Sequence, residues 1–374
     1  MKTYILLLAA VLSLFSCGSA LPKAKNTPAS APKQKPVRPP AESSPNKKRL
    51  LNYLSDVYGK YIISGQMDAS WTINESIDMI SRVYDDTGKY PAIKGFDFIM
   101  LSSSFAPFLN GKEQINEAIE WWEGKNNDNA LLPNKPSVHG ISTFCWHWRT
   151  GAKNDFYSDK TEYRIPWKND QLDTEDAAFA IITRDLDRAA SRLQTLQEKD
   201  IPVLWRPLHE ASGRWFWWGA SGPKPYIALW EYMWDYFTYE KGLDNLIWVW
   251  NADSEDWFPD PKTVDIIGRD IYAQGFSSLQ DQFERTKKMG DKEYIVALTE
   301  NGRIPDPDEC VKDKAMWSWF MTWNDGRKVI GETHKDNFWT GEFYNSNAYK
   351  KKVYNHRSVI TLDKLPDLSA YRLE

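Results

Sequence analysis

Eight short apolar runs recur along the chain: Tyr61–Gly65, Pro91–Gly95, Val138–Phe144, Pro202–Trp205, Leu246–Trp250, Val264–Gly268, Tyr294–Leu298 and Ala315–Phe320. Between most of them the apolar positions change period. The change is clearest over Asp176–Lys199, where Ala177, Ala180, Ile181, Leu186, Ala189, Leu193 and Leu196 fall at helical spacing, and again over Lys224–Tyr239. Buried strands alternating with helices over this length predict an α/β fold of one domain, a parallel (β/α)8 TIM barrel. An open doubly wound sheet is the alternative, and no Gly-rich phosphate turn follows the first run to support it.

A barrel of this kind places its chemistry just beyond the C-terminal ends of the strands. Polar or functional side chains stand there: His147 after the third run, His209 and Glu210 after the fourth, Tyr272 after the sixth, Glu300 after the seventh and Trp323 after the eighth. Strands four and seven lie on opposite sides of a barrel mouth, so Glu210 and Glu300 can face one another across a substrate. Two carboxylates about 5 to 5.5 Å apart are what a retaining glycosidase uses, one as nucleophile and one as acid and then base. A glutamate at a strand end also serves as a surface acid or an ion-pair partner, so position alone leaves both readings open.

The local sequence around Glu210 sharpens the question. In WRPLHEASGRWFWWG, Trp205–Gly219, four aromatic rings follow the glutamate within eight residues. An unpaired carboxylate is costly in a purely apolar core, so a flat-faced but polar partner fits better than simple packing. The chain as a whole is rich in rings, with 19 Trp, 18 Tyr and 16 Phe, and its formal charge of −4 offers no electrostatic footprint for nucleic acid.

The N-terminus reads as an address. Lys2 precedes an apolar run, Tyr4–Phe15, too short to span a bilayer. Leu14–Cys17 resembles a bacterial lipobox, which implies cleavage before Cys17 and lipidation of its sulfur; a plain secretory signal is the alternative. Residues 1–17 are thus assigned to a lipoprotein signal, and 18–46, with seven prolines at 22, 28, 32, 36, 39, 40 and 45, to a disordered tether. Residues 47–374 are assigned to one large domain. Cys145 and Cys310 remain, too few for a disulfide framework or a metal-ligand pattern, and their pairing is left open.

Trp205–Glu210 together with Gly213–Gly219 resembles the signature of glycoside hydrolase family 26, mostly β-mannanases with catalytic glutamates on strands four and seven. Weaker matches are Ile63–Gln66, Trp146–His147, Asp270–Tyr272, Leu298–Gly302 and Thr322–Asn324, so the likeness runs from about residue 47 to the end. The resemblance implies that Glu210 is the acid/base and Glu300 the nucleophile. It implies substrate contacts from His147, Arg206, His209, Trp215, Tyr272 and Trp323. His209 would also touch the nucleophile, Tyr272 would partner it, Trp323 would lie under the reacting sugar and Trp215 under the leaving one. Asn324 departs from members that carry Arg after the strand-eight tryptophan.

The resulting expectation is a monomeric, lipid-anchored bacterial endo-β-1,4-mannanase, retaining, without cofactor or metal, at the outer membrane on its periplasmic or outer face. Its partners are then a β-mannan substrate and, through the lipid alone, the membrane. Alternatives are a β-1,3-xylanase or mixed-linkage glucanase of the same family, an exo-acting mannobiose-releasing enzyme, or, in another class, a glycan-binding lipoprotein without catalysis.

Overall fold

The computed structural model describes residues 42–69, 78–101, 111–125, 139–150, 155–324 and 338–374, all within the unit Pro39–Glu374. Cys17, the signal segment and residues 18–41 of the tether lie outside the described residues. Each of the eight apolar runs seeds a strand: β1 (Ile62–Met67), β2 (Ile93–Asp97), β3 (Ile141–Cys145), β4 (Val203–Arg206), β5 (Leu246–Trp250), β6 (Ile266–Ile271), β7 (Ile295–Asn301) and β8 (Trp319–Thr322). Neighbours in sequence pair in parallel, and β8 returns to β1 through Ile63–Gln66 against Trp319–Thr322, closing the sheet. Closure is the observation that excludes the doubly wound alternative. A two-residue strand, Val359–Ile360, adds a parallel pairing to Ile62–Ile63.

Helices form the outer layer: α1 (Pro45–Val57), α2 (Met79–Thr87), α3 (Lys112–Glu123), α4 (Phe179–Gln197), α5 (Pro223–Asp235), α6 (Gln280–Lys287), α7 (Pro307–Asp313) and α8 (Asn347–Tyr354), besides a single turn at Trp217–Ala220. The longest, α4, turns Phe179, Ile182, Leu186, Ala189, Leu193 and Leu196 inward, a stripe set by its 3.6-residue period. It starts three residues after the expected Asp176, because Asp176 caps a preceding turn: its Oδ1 accepts from Ala178 N and its carbonyl from Phe179 N. Helix α1 begins at Pro45, two residues before the expected domain start. Ser44 Oγ accepts from Lys47 N and Pro45 takes the first helical turn, where its missing N–H costs nothing.

Inside the barrel the strands are almost continuously buried, and small residues make room for large ones. A Cβ on Gly95 would lie 2.1 Å from Met67 Sδ, so that sulfur occupies the place of the absent side chain. Cys145 on β3 and Cys310 on α7 are both buried and free.

Candidate active site

The C-terminal strand ends converge on Arg206, the last residue of β4. Its guanidinium is almost fully buried, donates from Nη1 to Asp270 Oδ2 at 2.8 Å and Asn251 Oδ1 at 3.3 Å, and pairs through Nη2 with Glu300 Oε1. A register shift between Arg269 and Asp270 sets Asp270 opposite Glu300 across the β6–β7 pair. Such an irregularity re-aims side chains at a barrel rim. Asp270 Oδ1 also accepts from Thr299 Oγ1 at 2.7 Å and Asn251 Nδ2 at 3.3 Å, so it has a donor on each oxygen.

Glu300 is buried and has donors on both oxygens: Arg206 on Oε1, and the Tyr272 hydroxyl on Oε2 at 2.8 Å. Tyr272 keeps 42% of its surface exposed, so its ring edges the mouth while its hydroxyl points inward. Glu210 follows β4 in a left-handed conformation, φ 53°, that a non-glycine residue adopts only under constraint. The constraint is visible: Glu210 N donates to Asn251 O at 2.6 Å, and its Oε2 accepts from Trp215 Nε1 at 2.9 Å.

One oxygen each from Glu210, Asp270 and Glu300 lies within 4.8 Å of the other two. Packing three carboxyls around one guanidinium raises proton affinity. Burial first, then the charges of Asp270 and Glu300, pushes Glu210 up to about 10. Burial and Asp270 push Glu300 up to about 7, with Arg206 and His147 opposing. The ordering follows from the partners: Glu300 is in direct contact with the Arg206 guanidinium, whereas Glu210 feels it only at a distance, so the proton belongs on Glu210.

His147 is oriented by Asp97 at the end of β2, which accepts from its backbone N at 3.0 Å and meets Nδ1 at 2.6 Å. His147 Nε2 in turn meets His209 Nε2 at 3.3 Å. Burial, with Arg206 and His147 nearby, holds the His209 imidazole well below its usual pKa, hence neutral. The Trp323 ring, half-buried, stands edge-on to His147 at 5.6 Å between centroids, and Gln66 Nε2 reaches the Trp323 carbonyl at 3.4 Å.

The structure therefore brings Glu210, Glu300, His147, His209, Trp215, Tyr272 and Trp323 to one mouth. Two expectations change. Arg206, expected to contact substrate, is buried and committed to Asn251, Asp270 and Glu300. His209, expected to contact both substrate and nucleophile, is fully buried with Nε2 turned to His147 and 4.0 Å from Glu300 Oε1, beyond hydrogen-bond reach, and Arg206 takes the place expected of it. Phe216, Trp217 and Trp218 are packing residues, fully or nearly buried, with Trp218 Nε1 donating to the His209 carbonyl at 2.8 Å and so bracing that turn. Asn324 is buried, its Nδ2 donating to the Asp68 carbonyl at 2.9 Å.

Sequence reasoning gave no role to Asp97, Asn251, Asp270 or Thr299, although Asp270 and Thr299 lie in stretches that carry the resemblance. Asp97 and Asn251 are the first strongly polar residues beyond the second and fifth apolar runs, the same signal that marks Glu210. Among the described residues two clusters have donor sets for a cation, Glu210–Asp270–Glu300 and Asp97–Cys145–His147. In the first, Arg206 already supplies the positive charge. In the second, both Asp97 oxygens are engaged by His147.

The family model for glycosyl hydrolase family 26 matches residues 39–364. The chain belongs to glycosyl hydrolase family 26. Among similar proteins, a mannan endo-1,4-β-mannosidase of Thermothelomyces thermophilus is 33% identical over 326 residues, which is 84% of this chain and 60% of that protein. Mannan endo-1,4-β-mannosidase B of Piromyces sp is 32% identical over 88% of this chain and 54% of its own length. The chain thus spans little more than half the length of these curated relatives. The solved GH26-CBM35 β-(1,4)-mannanase of Podospora anserina superposes with a TM-score of 0.72 at 32% identity, covering 90% of this chain and 72% of that one. A β-mannanase from a symbiotic protist of the termite Reticulitermes speratus, complexed with gluco-manno-oligosaccharide, gives 0.73 at 31% identity over 87% of this chain and 96% of its own.

Proposed function

We propose that this chain is a retaining endo-β-1,4-mannanase, and the observation that carries the reading is the separation of Glu210 and Glu300. Carboxyl oxygens within 4.8 Å leave no room for a water between the second carboxylate and the sugar, as inversion needs, and suit direct attack by that carboxylate. The names of the similar mannanases support β-mannan as the substrate class.

In this reading Glu300, held by Arg206 and Tyr272, attacks the anomeric carbon. The glycosidic C–O bond breaks as Glu210 gives its proton to the departing oxygen, leaving a glycosyl ester on Glu300. Glu210, now ionised, removes a proton from water, whose oxygen displaces Glu300 from the opposite face. The sugar regains its starting configuration and both carboxyls their starting protonation. Tyr272 and Arg206 stabilise the carboxylate that leaves. Trp215 offers a ring face to the leaving sugar while its N–H holds Glu210. Release of reducing ends from soluble unbranched mannan, as products first seen in the β configuration by NMR and absent with Glu300→Ala, tests the activity. Preference for β-1,3-xylan or mixed-linkage glucan, or mannobiose as the sole early product, would shift the assignment within the family. Binding of mannan with no release of reducing ends would point to a glycan-binding lipoprotein.

The lipobox at Leu14–Cys17 supports a lipid anchor on Cys17 and placement at the bacterial outer membrane. Membrane fractionation of Cys17→Ser tests it: the variant moves to the soluble fraction if the anchor is real and stays with the membrane if it is not.

A further inference from the structure

Five large aromatic side chains are exposed among the described residues: Tyr61, Tyr157, Trp215, Tyr272 and Phe343. Tyr61 precedes β1, at the opposite end of the barrel from the site. Tyr157, Trp215 and Tyr272 belong to the mouth. Tyr157 packs on Phe216, Trp215 holds Glu210 and Tyr272 holds Glu300. Phe343 is the most exposed of all, at 56%, and nothing in the chemistry above uses it.

Phe343 is tied to the catalytic pair by an unbroken line of rings. Tyr272 meets Phe338 at 5.5 Å between centroids, Phe338 meets Tyr344 at 4.7 Å, and Tyr344 meets Phe343 at 5.0 Å. The line is held rigidly. Buried Asn345 donates to the Gly302 and Phe338 carbonyls at 2.8 and 3.1 Å and accepts from Ile304 N at 3.0 Å, pinning the segment to the chain that leaves β7. Arg303 Nη1 donates to the Tyr344 carbonyl at 2.7 Å, and its guanidinium sits 5.0, 5.6 and 5.7 Å from the rings of Phe276, Tyr344 and Phe343. Three rings around one cation fix the platform by cation–π attraction as well as by packing. Holding a phenyl ring this firmly with most of its surface in water gains little for the fold, since an exposed ring buries little apolar area. The gain lies in a flat surface ready for a flat ligand.

We propose that Phe343, held by Arg303 and Tyr344, is a platform for a main-chain sugar of the polysaccharide on the leaving-group side, beyond the one that Trp215 receives. This rests on the mannanase reading above. Two observations select the occupant. The platform is continuous with Tyr272 and hence with the catalytic groove, and it stands over β6 and β7, through Phe276 and Arg303. In the barrel order β4-β5-β6-β7 it therefore shares an arc with Trp215, whereas Trp323 and His147, on the arc β8 to β3, mark the other side of the carboxyl pair.

The test compares wild type, Phe343→Ala and Phe343→Trp on unbranched mannotriose to mannohexaose and on galactomannan, with the reducing end labelled by ¹⁸O to locate the bond cut. Phe343→Ala is expected to lose about three- to ten-fold in kcat/KM on mannohexaose, the range of a single ring contact. Mannotriose can reach the platform only by leaving the far side of the reacting sugar empty, so it is expected to lose clearly less than mannohexaose. Cleavage of mannohexaose should shift toward the reducing end, because fewer leaving-group sugars are held. Phe343→Trp should keep the wild-type pattern. Equal change on all lengths, a shift toward the non-reducing end, or an effect confined to branched galactomannan would each overturn the proposal. Failure of the wild type itself to cut any of these substrates would instead overturn the mannanase reading.

Discussion

Nε1 of Trp215 donates a 2.9 Å hydrogen bond to Oε2 of Glu210, which joins an indole with 46% of its surface exposed to a carboxyl that is largely withdrawn from water. The bond does two things at once. It fixes the carboxyl in the direction of the indole edge, and it turns a ring face toward whatever meets Glu210. Replacing Trp215 by Ala removes both. We expect kcat/KM on long mannooligosaccharides to fall by about ten-fold or more, since 1.4 kcal/mol of lost transition-state stabilisation is a factor of ten. Because the ring is half exposed already, the melting temperature should change little. A large drop in melting temperature, with equal rate losses on long and short substrates, would show instead that the ring packs and does not bind sugar.

The same ring can be moved without being removed. Gly213 lies beneath it, and a Cβ there would come within 1.9 Å of Trp215 Cζ3, so the indole and the α-carbon share one space. Gly213 has no positive φ, so alanine is tolerated by the backbone and the exposed indole is what gives way. Gly213→Ala is expected to reproduce most of the Trp215→Ala rate loss on long substrates, with near wild-type melting behaviour. Measuring kcat/KM for the two single variants and the double decides it. If the losses add fully, the two residues act separately and the displacement argument fails.

Much of this site is legible in the sequence because barrel strands are apolar until they reach the mouth. Glu210, His147, Tyr272 and Trp323 each sit just past such a run, and the rings after Glu210 already indicate a surface and not a core. What is not legible lies where the ladder continues through polar residues. Strands β6 and β7 run on to Ile271 and Asn301, past the apolar ends at Gly268 and Leu298, because Arg206 and Thr299 supply the donors that let Asp270 and Glu300 remain inside. The burial of Arg206 is hidden for the same reason: its partners lie 45 to 94 residues away in the chain. Likewise Phe343 reads as one more loop aromatic, and only its contacts with Arg303 and Tyr344 separate it from a random exposed ring.

The division of labour proposed for the two glutamates has a kinetic signature. With Glu210→Ala, a polysaccharide leaving group receives no proton, whereas a phenolate-type leaving group departs unaided. We expect mannan hydrolysis to fall by roughly a hundred-fold or more, the range in which general acid catalysis contributes. An activated aryl mannobioside should still form the glycosyl-enzyme rapidly and then accumulate it, visible as a burst of released phenol and as a mass increase on Glu300. Loss of rate to the same extent on both substrates would assign Glu210 another role.

The proton on Glu210 also has a consequence for stability. Its folded pKa, about 10 through burial and the Asp270 and Glu300 charges, stands above the usual 4.5, so the folded protein keeps a proton that the unfolded chain releases. Stability from this group is therefore fully present below about pH 4.5 and is lost as pH rises toward the folded value. Gln at 210 keeps the shape of the protonated acid and has no proton to lose. Glu210→Gln should match the wild type in melting temperature near pH 4.5 and exceed it increasingly above that, by roughly 1 to 2 °C per pH unit once partial exposure is allowed for. Glu117 and Asp253, also raised by burial, stay in both proteins and cancel in the difference. Glu300, raised in the same direction by burial and Asp270, remains in both as well, and its neighbour at 210 is uncharged in both over this range. Thermal unfolding of the two proteins across about pH 5 to about pH 8 checks the sign. A gap that is constant, or that narrows as pH rises, would mean that Glu210 is ionised in the resting protein and cannot be the proton donor.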